Sequence, residues 1–323
     1  MRIALSENIY DASIEKKSTR QGFGDGIVSV ADSNKNVMAL TADFRDSVKL
    51  TAFAKKYPKR FIDTGIAEQN LIGVATGLAL SGKIPFAASI ASFNPGRNWE
   101  QIRVSVCYTN ANVKVVGTHS GLSDGPDGAT HQSLEDIALT RILPNMTVIA
   151  PCDYEQTIKA TEALAKHKGP AYLRITRTPT PVFTTPKTDF VIGKAQILKT
   201  GNSLTVIAYG PGVYEVLLAA RELSIKYKID IEVVNCHTIK PLDEEAILKS
   251  AKKTHKVVTV EEHQIAGGLG GAVAELLSEK FPVQLVRLGM NDSFGESGTY
   301  ENLLDKYELS KKHLVNKFRK LLS

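Results

Sequence analysis

The segment GIAEQN, residues 65–70, sets a single carboxylate, Glu68, at the head of the apolar run LIGVATGLAL. An acid in apolar surroundings calls for a reason, because low polarity disfavours its charged form. The same carboxylate also suits the first turn of a helix, facing the positive end of the macrodipole. A second concentration of reactive groups is GTHSGLSDGPDGATHQSLED, residues 117–136, where His119, Asp127 and His131 punctuate a glycine-rich loop. That loop follows the strand-like VKVVGTH, and the carboxyl ends of strands are where α/β sheets hold their ligands. The three side chains could coordinate a cation, yet no HxH or HxxxH spacing supports it, and no metal site is expected in this chain.

The surrounding sequence supplies the elements that must position these groups. Short β-rich runs, VMALTAD, IPFAASIA, VKVVGTH, MTVIAP and AYLRI, alternate with helical stretches such as LIGVATGLALSG and NWEQIRVSVCYTN. This alternation predicts a mostly parallel sheet flanked by helices. The Pro/Thr-rich TPTPVFTTPKTDF, residues 178–190, interrupts the pattern and reads as an interdomain linker. Beyond it LTVIAYG, IDIEVVN, KVVTVEE and VQLVRLG alternate with VYEVLLAARELSIKY, EEAILKSAKK and AVAELLSEKF, which predicts a second α/β domain of the same kind.

Composition excludes several classes. The 323 residues, 43% hydrophobic, suffice for two domains with cores. No apolar run is long enough for a membrane span, and the amino-terminal stretch lacks a signal-like apolar region, so a soluble, cytoplasmic protein without a membrane partner is expected. The three cysteines, Cys107, Cys152 and Cys236, are widely spaced and read as buried free thiols. The net charge of +6 is spread over clusters such as KSAKKTHK and KKHLVNKFRK with no aromatic interleaving. That argues against nucleic acid and suits an anionic small substrate. The cluster EEHQIAGGLGGAVAELL opens a helix after a strand, but with Gly268 and Gly270 in the first two positions the third dinucleotide-motif glycine would be Val273. It reads instead as a tightly packed helix start.

The runs RFIDTGIAEQNLIGVATGLALSGKIPFAASIASF, GRNWEQIR, THSGLSDGPDGATHQSLEDIALTRILPNMTVIAPCD and GPAYLRITR together resemble the pyrimidine-binding domain of transketolase. VIAYGPGVYEVLLAARELS, VVNCHTIKPLDEEAI and VTVEEHQIAGGLGGAVAELL resemble its carboxyl-terminal domain. The resemblance implies two successive α/β domains, with residues 1–180 binding the pyrimidine of thiamine diphosphate, 181–193 a linker, and 194–323 the carboxyl-terminal domain. It also implies the carboxyl-terminal subunit of a split transketolase, whose amino-terminal partner carries the GDG and asparagine motif for Mg²⁺ and diphosphate, in an α2β2 assembly. The GDG of this chain, Gly24–Gly26, is not that motif, since the stretch LTAFAKKYPK at the required distance has no asparagine pair. Asp25 is expected on the surface of a helix or turn.

By the resemblance, Glu68 hydrogen-bonds N1′ of the cofactor's aminopyrimidine and promotes the imino tautomer that removes the thiazolium C2 proton. A two-carbon ketol unit then passes from a ketose phosphate to an aldose phosphate. Phe93 is implied to pack on the pyrimidine, Ile90 to stand where a second aromatic is frequent, and Asp43 to lie near the cofactor. Arg20, Ser47, His119 and Arg177 resemble a clamp for the substrate phosphate. Asp127 and His131 resemble groups that contact substrate hydroxyls and move protons, which makes His131 a catalytic candidate beside Glu68. Deoxyxylulose-phosphate synthase shares the glutamate and the loop but tends to show Asp-Arg where this chain has His119-Ser120. A non-catalytic partner of the same fold is the remaining alternative.

Overall fold

The computed structural model describes residues 2–322. In chain order the strands are β1 Lys16–Lys17, β2 Val37–Thr41, β3 Phe61–Asp63, β4 Ile84–Ile90, β5 Lys114–Thr118, β6 Thr147–Ile149, β7 Ala171–Arg174 and β8 Thr180–Pro181. They continue with β9 Gln196–Lys199, β10 Thr205–Ala208, β11 Glu232–Asn235, β12 Thr238–Lys240, β13 Lys256–Gln264 and β14 Gln284–Met290. The first sheet runs β12-β6-β7-β5-β4-β2-β3, the second β14-β13-β10-β11-β9, and β1 pairs with β8. All neighbours in the first sheet are parallel except β12 on β6, and in the second except β9 on β11. Strands β2 and β5 are buried at every position, as expected where helices cover both faces of a parallel sheet. The chain leaves β2 for β3 on one side and β4 for β5 on the other, so a crevice opens at the carboxyl ends of these strands. No helix among the described residues is long and apolar enough to cross a membrane. The three cysteines are buried and unpaired.

The glycines of GFGDG are a packing device. The helix Thr19–Ser33, capped by Ser18 accepting from the Gln21 amide at 3.3 Å, lies against the helix Tyr154–Lys166. A Cβ on Gly22 would stand 2.5 Å from the Tyr154 carbonyl oxygen, and one on Gly24 would stand 2.6 Å from that of Lys49. Asp25 is exposed on the same helix, where it accepts from Gln21 Nε2 and Tyr154 OH. The second cluster also proves to be a helix start. Glu261 Oε2 and Oε1 accept from the amides of Leu269 and Gly270, each at 2.8 Å, at the head of the helix Leu269–Lys280.

The Pro/Thr-rich stretch is anchored along its length. Asp153, fully buried, accepts from the amides of Phe183 and Thr184 and from the Thr184 hydroxyl, while its other face caps the helix Tyr154–Lys166 through the Gln156 amide. Burial raises its pKa, and those donors oppose the rise. The second domain then returns to the first through β12, which joins the edge of the first sheet beside β6. A buried ion pair seals the junction. Arg174 Nε donates to Asp136 Oδ2 at 2.9 Å, Tyr172 OH donates to the same oxygen at 2.7 Å, and Arg174 Nη2 reaches the carbonyl of Glu262 in β13 at 2.8 Å.

Gly22→Ala is therefore expected to destabilise the chain despite alanine's better helix propensity. The steric conflict is with backbone, and overpacking costs about 1–3 kcal/mol against a propensity gain of about 1 kcal/mol. Urea unfolding of the two chains checks the sign.

Candidate active site

Every sequence-predicted residue lies at or beyond the carboxyl end of a first-sheet strand, apart from Arg20. That residue enters from the first turn of the Thr19–Ser33 helix. Glu68 opens the helix Glu68–Leu80 and is 1% exposed. It is not a capping carboxylate: its Oε2 accepts from Arg97 Nη1 at 2.9 Å, and its Oε1 is buried without a hydrogen-bond partner. Its backbone is fixed from below. Asn98 Nδ2 donates to the Glu68 carbonyl at 3.0 Å and to Asn94 Oδ1, and Asn94 in turn donates to the carbonyls of Ala87 and Val116 in β4 and β5. An unsatisfied acid oxygen at this depth is costly, and a nitrogen base that shares a proton with it removes the cost.

Phe93 follows β4 beside this acid. Its ring lies 4.4 Å from the Arg97 guanidinium, stacks with Phe44 at 6.3 Å and 26°, and meets the edge of His131 at 5.5 Å. Phe44 of TADF thus places a second ring beside Phe93. Ile90 is 6% exposed and closes the end of β4 as buried aliphatic packing. Asp43 is exposed in the left-handed region at φ 62°, a conformation that aspartate tolerates better than most residues. Its amide donates to Asp63 Oδ1 at 2.9 Å, and the same oxygen receives the Gly65 amide at 3.1 Å, which ties the Asp43 turn to the turn leading into Glu68.

The basic cluster gathers as the spacing could not reveal. Arg20 Nη1 donates to the Ser47 carbonyl at 2.9 Å and meets His119 Nε2 at 3.1 Å. Arginine can only donate, so Nε2 accepts, and the imidazole proton sits on Nδ1, directed at Thr118 Oγ1 at 2.6 Å. Thr118 passes its own proton to the Ser89 carbonyl. Burial, followed by the charges of Arg20 and Arg177, pushes the His119 pKa down to about 3. Arg177 Nη1 is held by two carboxylates, Asp124 Oδ1 at 2.8 Å and Asp127 Oδ2 at 2.6 Å. Asp124 is fully buried and its pKa is raised by burial, whereas Asp127 is exposed. His131 is fixed through its carbonyl, which accepts from Ser92 Oγ, and its Nδ1 meets Thr130 Oγ1 at 2.9 Å.

The structure therefore brings together Glu68, Phe93 and His131 on one side, and Arg20, Ser47, His119, Arg177 and Asp127 on the other. Ser47 contributes its backbone carbonyl, and Asp127, expected to contact substrate hydroxyls, pairs with Arg177. Sequence reasoning missed Arg97, Phe44 and Asp124. Arg97 and Asp124 lie within motifs already singled out, GRNWEQIR and the 117–136 loop, but only their contacts distinguish them from surface charge. Among the described residues no three His, Cys, Asp or Glu side chains gather as a metal site.

Nitrogen-detected NMR is expected to find His119 neutral and protonated at Nδ1 down to about pH 4. An unfolded histidine protonates near pH ~6.5. Below that pH the unfolded chain binds a proton that the folded chain refuses, so stability falls as pH drops from ~6.5 toward about 3. His119→Gln should make that fall less steep.

The family model for the transketolase pyrimidine-binding domain matches residues 15–182, and that for the transketolase C-terminal domain matches residues 193–314. The chain is 46% identical over 296 residues to a putative transketolase C-terminal section of Methanocaldococcus jannaschii, covering 91% of this chain and 92% of that one. It is 41% identical over 306 residues to the 6-deoxy-6-sulfo-D-fructose transketolase subunit SqwH of a Clostridium species, covering 95% of each. A solved structure described as a split gene transketolase, inactive beta4 tetramer, superposes with a TM-score of 0.88 at 44% identity, over 94% of this chain and 98% of that one. With both domains matched in order and the site residues gathered at one sheet edge, the chain belongs to the transketolase family.

Proposed function

We propose that this chain is the half of a split ketol transferase that receives the aminopyrimidine of thiamine diphosphate and the anionic end of a sugar. A second polypeptide completes the site with the diphosphate and Mg²⁺ ligands. Residues 1–180 carry the pyrimidine and sugar contacts, 181–193 form the junction, and 194–323 form the carboxyl-terminal domain. The observation that carries the reading is the buried, unpartnered Oε1 of Glu68, whose other oxygen is held by the arginine that lies over the Phe93 ring. A ring nitrogen above Phe93 would give that oxygen the partner it lacks, so the residues present fit the cofactor's pyrimidine. When bound, the cofactor supplies the carbon nucleophile and the electron sink for carbon–carbon cleavage.

The protein's own part is binding, orientation and proton handling. Glu68 holds or yields a proton at Oε1 while Arg97 fixes Oε2. Phe93, with Phe44 behind it, offers the stacking face, and Asp43 and the buried Ile90 border the same end of the sheet. His119 serves as a neutral acceptor that, with the Ser47 carbonyl, aims Arg20 at an incoming anion. Arg177 is the second cation, and an anion reaching it competes with the exposed Asp127 for the guanidinium. Released from that pair, Asp127 is free to accept from a sugar hydroxyl, and His131 is the nearby group suited to moving a proton. The SqwH relative is named for a sulfonated fructose. A clamp of two arginines suits a sulfonate or a phosphate alike, so the substrate class is an anionic ketose as donor and an aldose as acceptor.

The need for a partner rests on the exposed face around Glu68. Ile66, just before it, is 75% exposed, and Gly73, Gly77 and Leu80 continue an uncovered stripe along the same helix, with the largely exposed Tyr108 on the segment packed against it. An α2β2 heterotetramer would bury such a face. The similar solved chain, described as an inactive β4 tetramer, supports inactivity of this chain alone.

Ketol transfer from xylulose 5-phosphate to ribose 5-phosphate, with thiamine diphosphate and Mg²⁺, is expected only when a diphosphate-domain subunit is added. Glu68→Gln should lower that activity by about 10²-fold or more while the complex still forms on size exclusion. Unchanged activity of Glu68→Gln would instead favour a non-catalytic subunit.

A further inference from the structure

Glu262 lies in β13 of the second domain, on no strand that carries the chemistry, and is 6% exposed. Its side chain nonetheless reaches the sugar-site loop. Oε2 accepts from the Leu122 amide at 3.2 Å, and Oε1 accepts from Tyr300 OH at 2.6 Å. Leu122 belongs to the turn Gly121–Asp127, which carries both carboxylates that hold Arg177. Gly121 has φ 67°, and a Cβ there would stand 2.9 Å from Glu262 Oε2, so the turn is shaped around this carboxylate. The far side of the same turn also leans on the second domain. The Gly125 carbonyl accepts from the Gly298 amide at 3.4 Å, and Gln132 Nε2 bridges that carbonyl and the carbonyl of Glu296.

We infer that Glu262 is a positioning residue for the sugar-binding turn: by holding the Leu122 amide against Tyr300, it fixes Asp124 and Asp127, and through them the Arg177 guanidinium, in the geometry that receives the substrate's anionic group. The second domain thereby sets sugar affinity without touching the sugar. The pyrimidine side has separate supports in Asn94, Asn98 and Arg97, none of which contacts Glu262 by a hydrogen bond. The inference rests on the ketol-transferase reading for its kinetic consequence, while its structural core does not.

The test is Glu262→Gln in the reconstituted two-subunit complex, with Tyr300→Phe as a milder second variant. Glutamine keeps the volume but loses the charge, and it can accept from the Leu122 amide only if its amide group donates to a reoriented Tyr300 hydroxyl. The KM for the sugar phosphates should rise about tenfold or more, with kcat within about twofold and thiamine diphosphate affinity unchanged. Amide exchange at residues 121–125 should accelerate about tenfold or more while β2 and β4 stay protected. Tyr300→Phe should move both readouts the same way by less. Unchanged exchange at the turn overturns the inference, and so does exchange that rises throughout both domains with a parallel fall in kcat. If the unmodified complex turns over no sugar, the functional reading fails, and the exchange result still decides the role of Glu262.

Discussion

The buried ion pair between Arg174 and Asp136 is the constraint around which the two domains are organised. Both side chains are almost fully excluded from solvent, and charges in that position persist only if every partner is present. Arg174 ends β7, Asp136 opens the helix after the 117–136 loop, and the carbonyl that completes the guanidinium's needs belongs to β13 of the other domain. Asp136 Oδ2 also accepts from Tyr172, a neutral donor beside the guanidinium. Removing one member of such a pair costs about 3–5 kcal/mol, because the other is left buried and alone. The loop that carries His119, Asp127 and His131 is thus pinned at its outgoing end by a contact that exists only when the domains are docked.

Two electrostatic styles meet at the sheet edge. The acid at Glu68 is left half satisfied, with one oxygen fixed by Arg97 and one buried oxygen without a partner. The cationic cluster is more fully engaged, with Arg20 Nη1 held by a carbonyl and an imidazole and Arg177 Nη1 by two carboxylates, while Arg20 Nε and Asp124 Oδ2 are buried without partners. A buried carboxyl oxygen without a partner would suit a planar base whose ring nitrogen shares one proton with it. The engaged guanidiniums are held aligned, and an incoming anion would have to compete with two carboxylates for Arg177. The mild positive charge of the chain adds a long-range field of the right sign for that anion.

Junction elements show how far local patterning reaches. The Pro/Thr-rich stretch reads as a connector, and the Asp153 carboxylate and the β1–β8 pairing bind it to the first domain. Strand β12 is three residues of an unremarkable HTIK run, and its place beside β6 depends on an open edge contributed by residues about ninety positions earlier. A short strand buried among partners distant in sequence carries no periodic signature of its own.

The sequence by itself determined the layered α/β architecture, because the alternation of apolar strands and amphipathic helices is a local property that survives without any partner. It also marked Glu68, Phe93, His119, Asp127, His131, Arg20 and Arg177 as candidates through the family resemblance, since residue type and motif order are written in the chain. Only the tertiary structure decided which of them meet. It stacked Phe44 on Phe93, paired Asp127 with Arg177, set the Ser47 carbonyl against Arg20, and drew Glu262 of the far domain to the Gly121–Asp127 turn. The reason is physical: hydrogen bonds and desolvation depend on ångström-scale approach between segments tens to hundreds of residues apart, which no local pattern encodes.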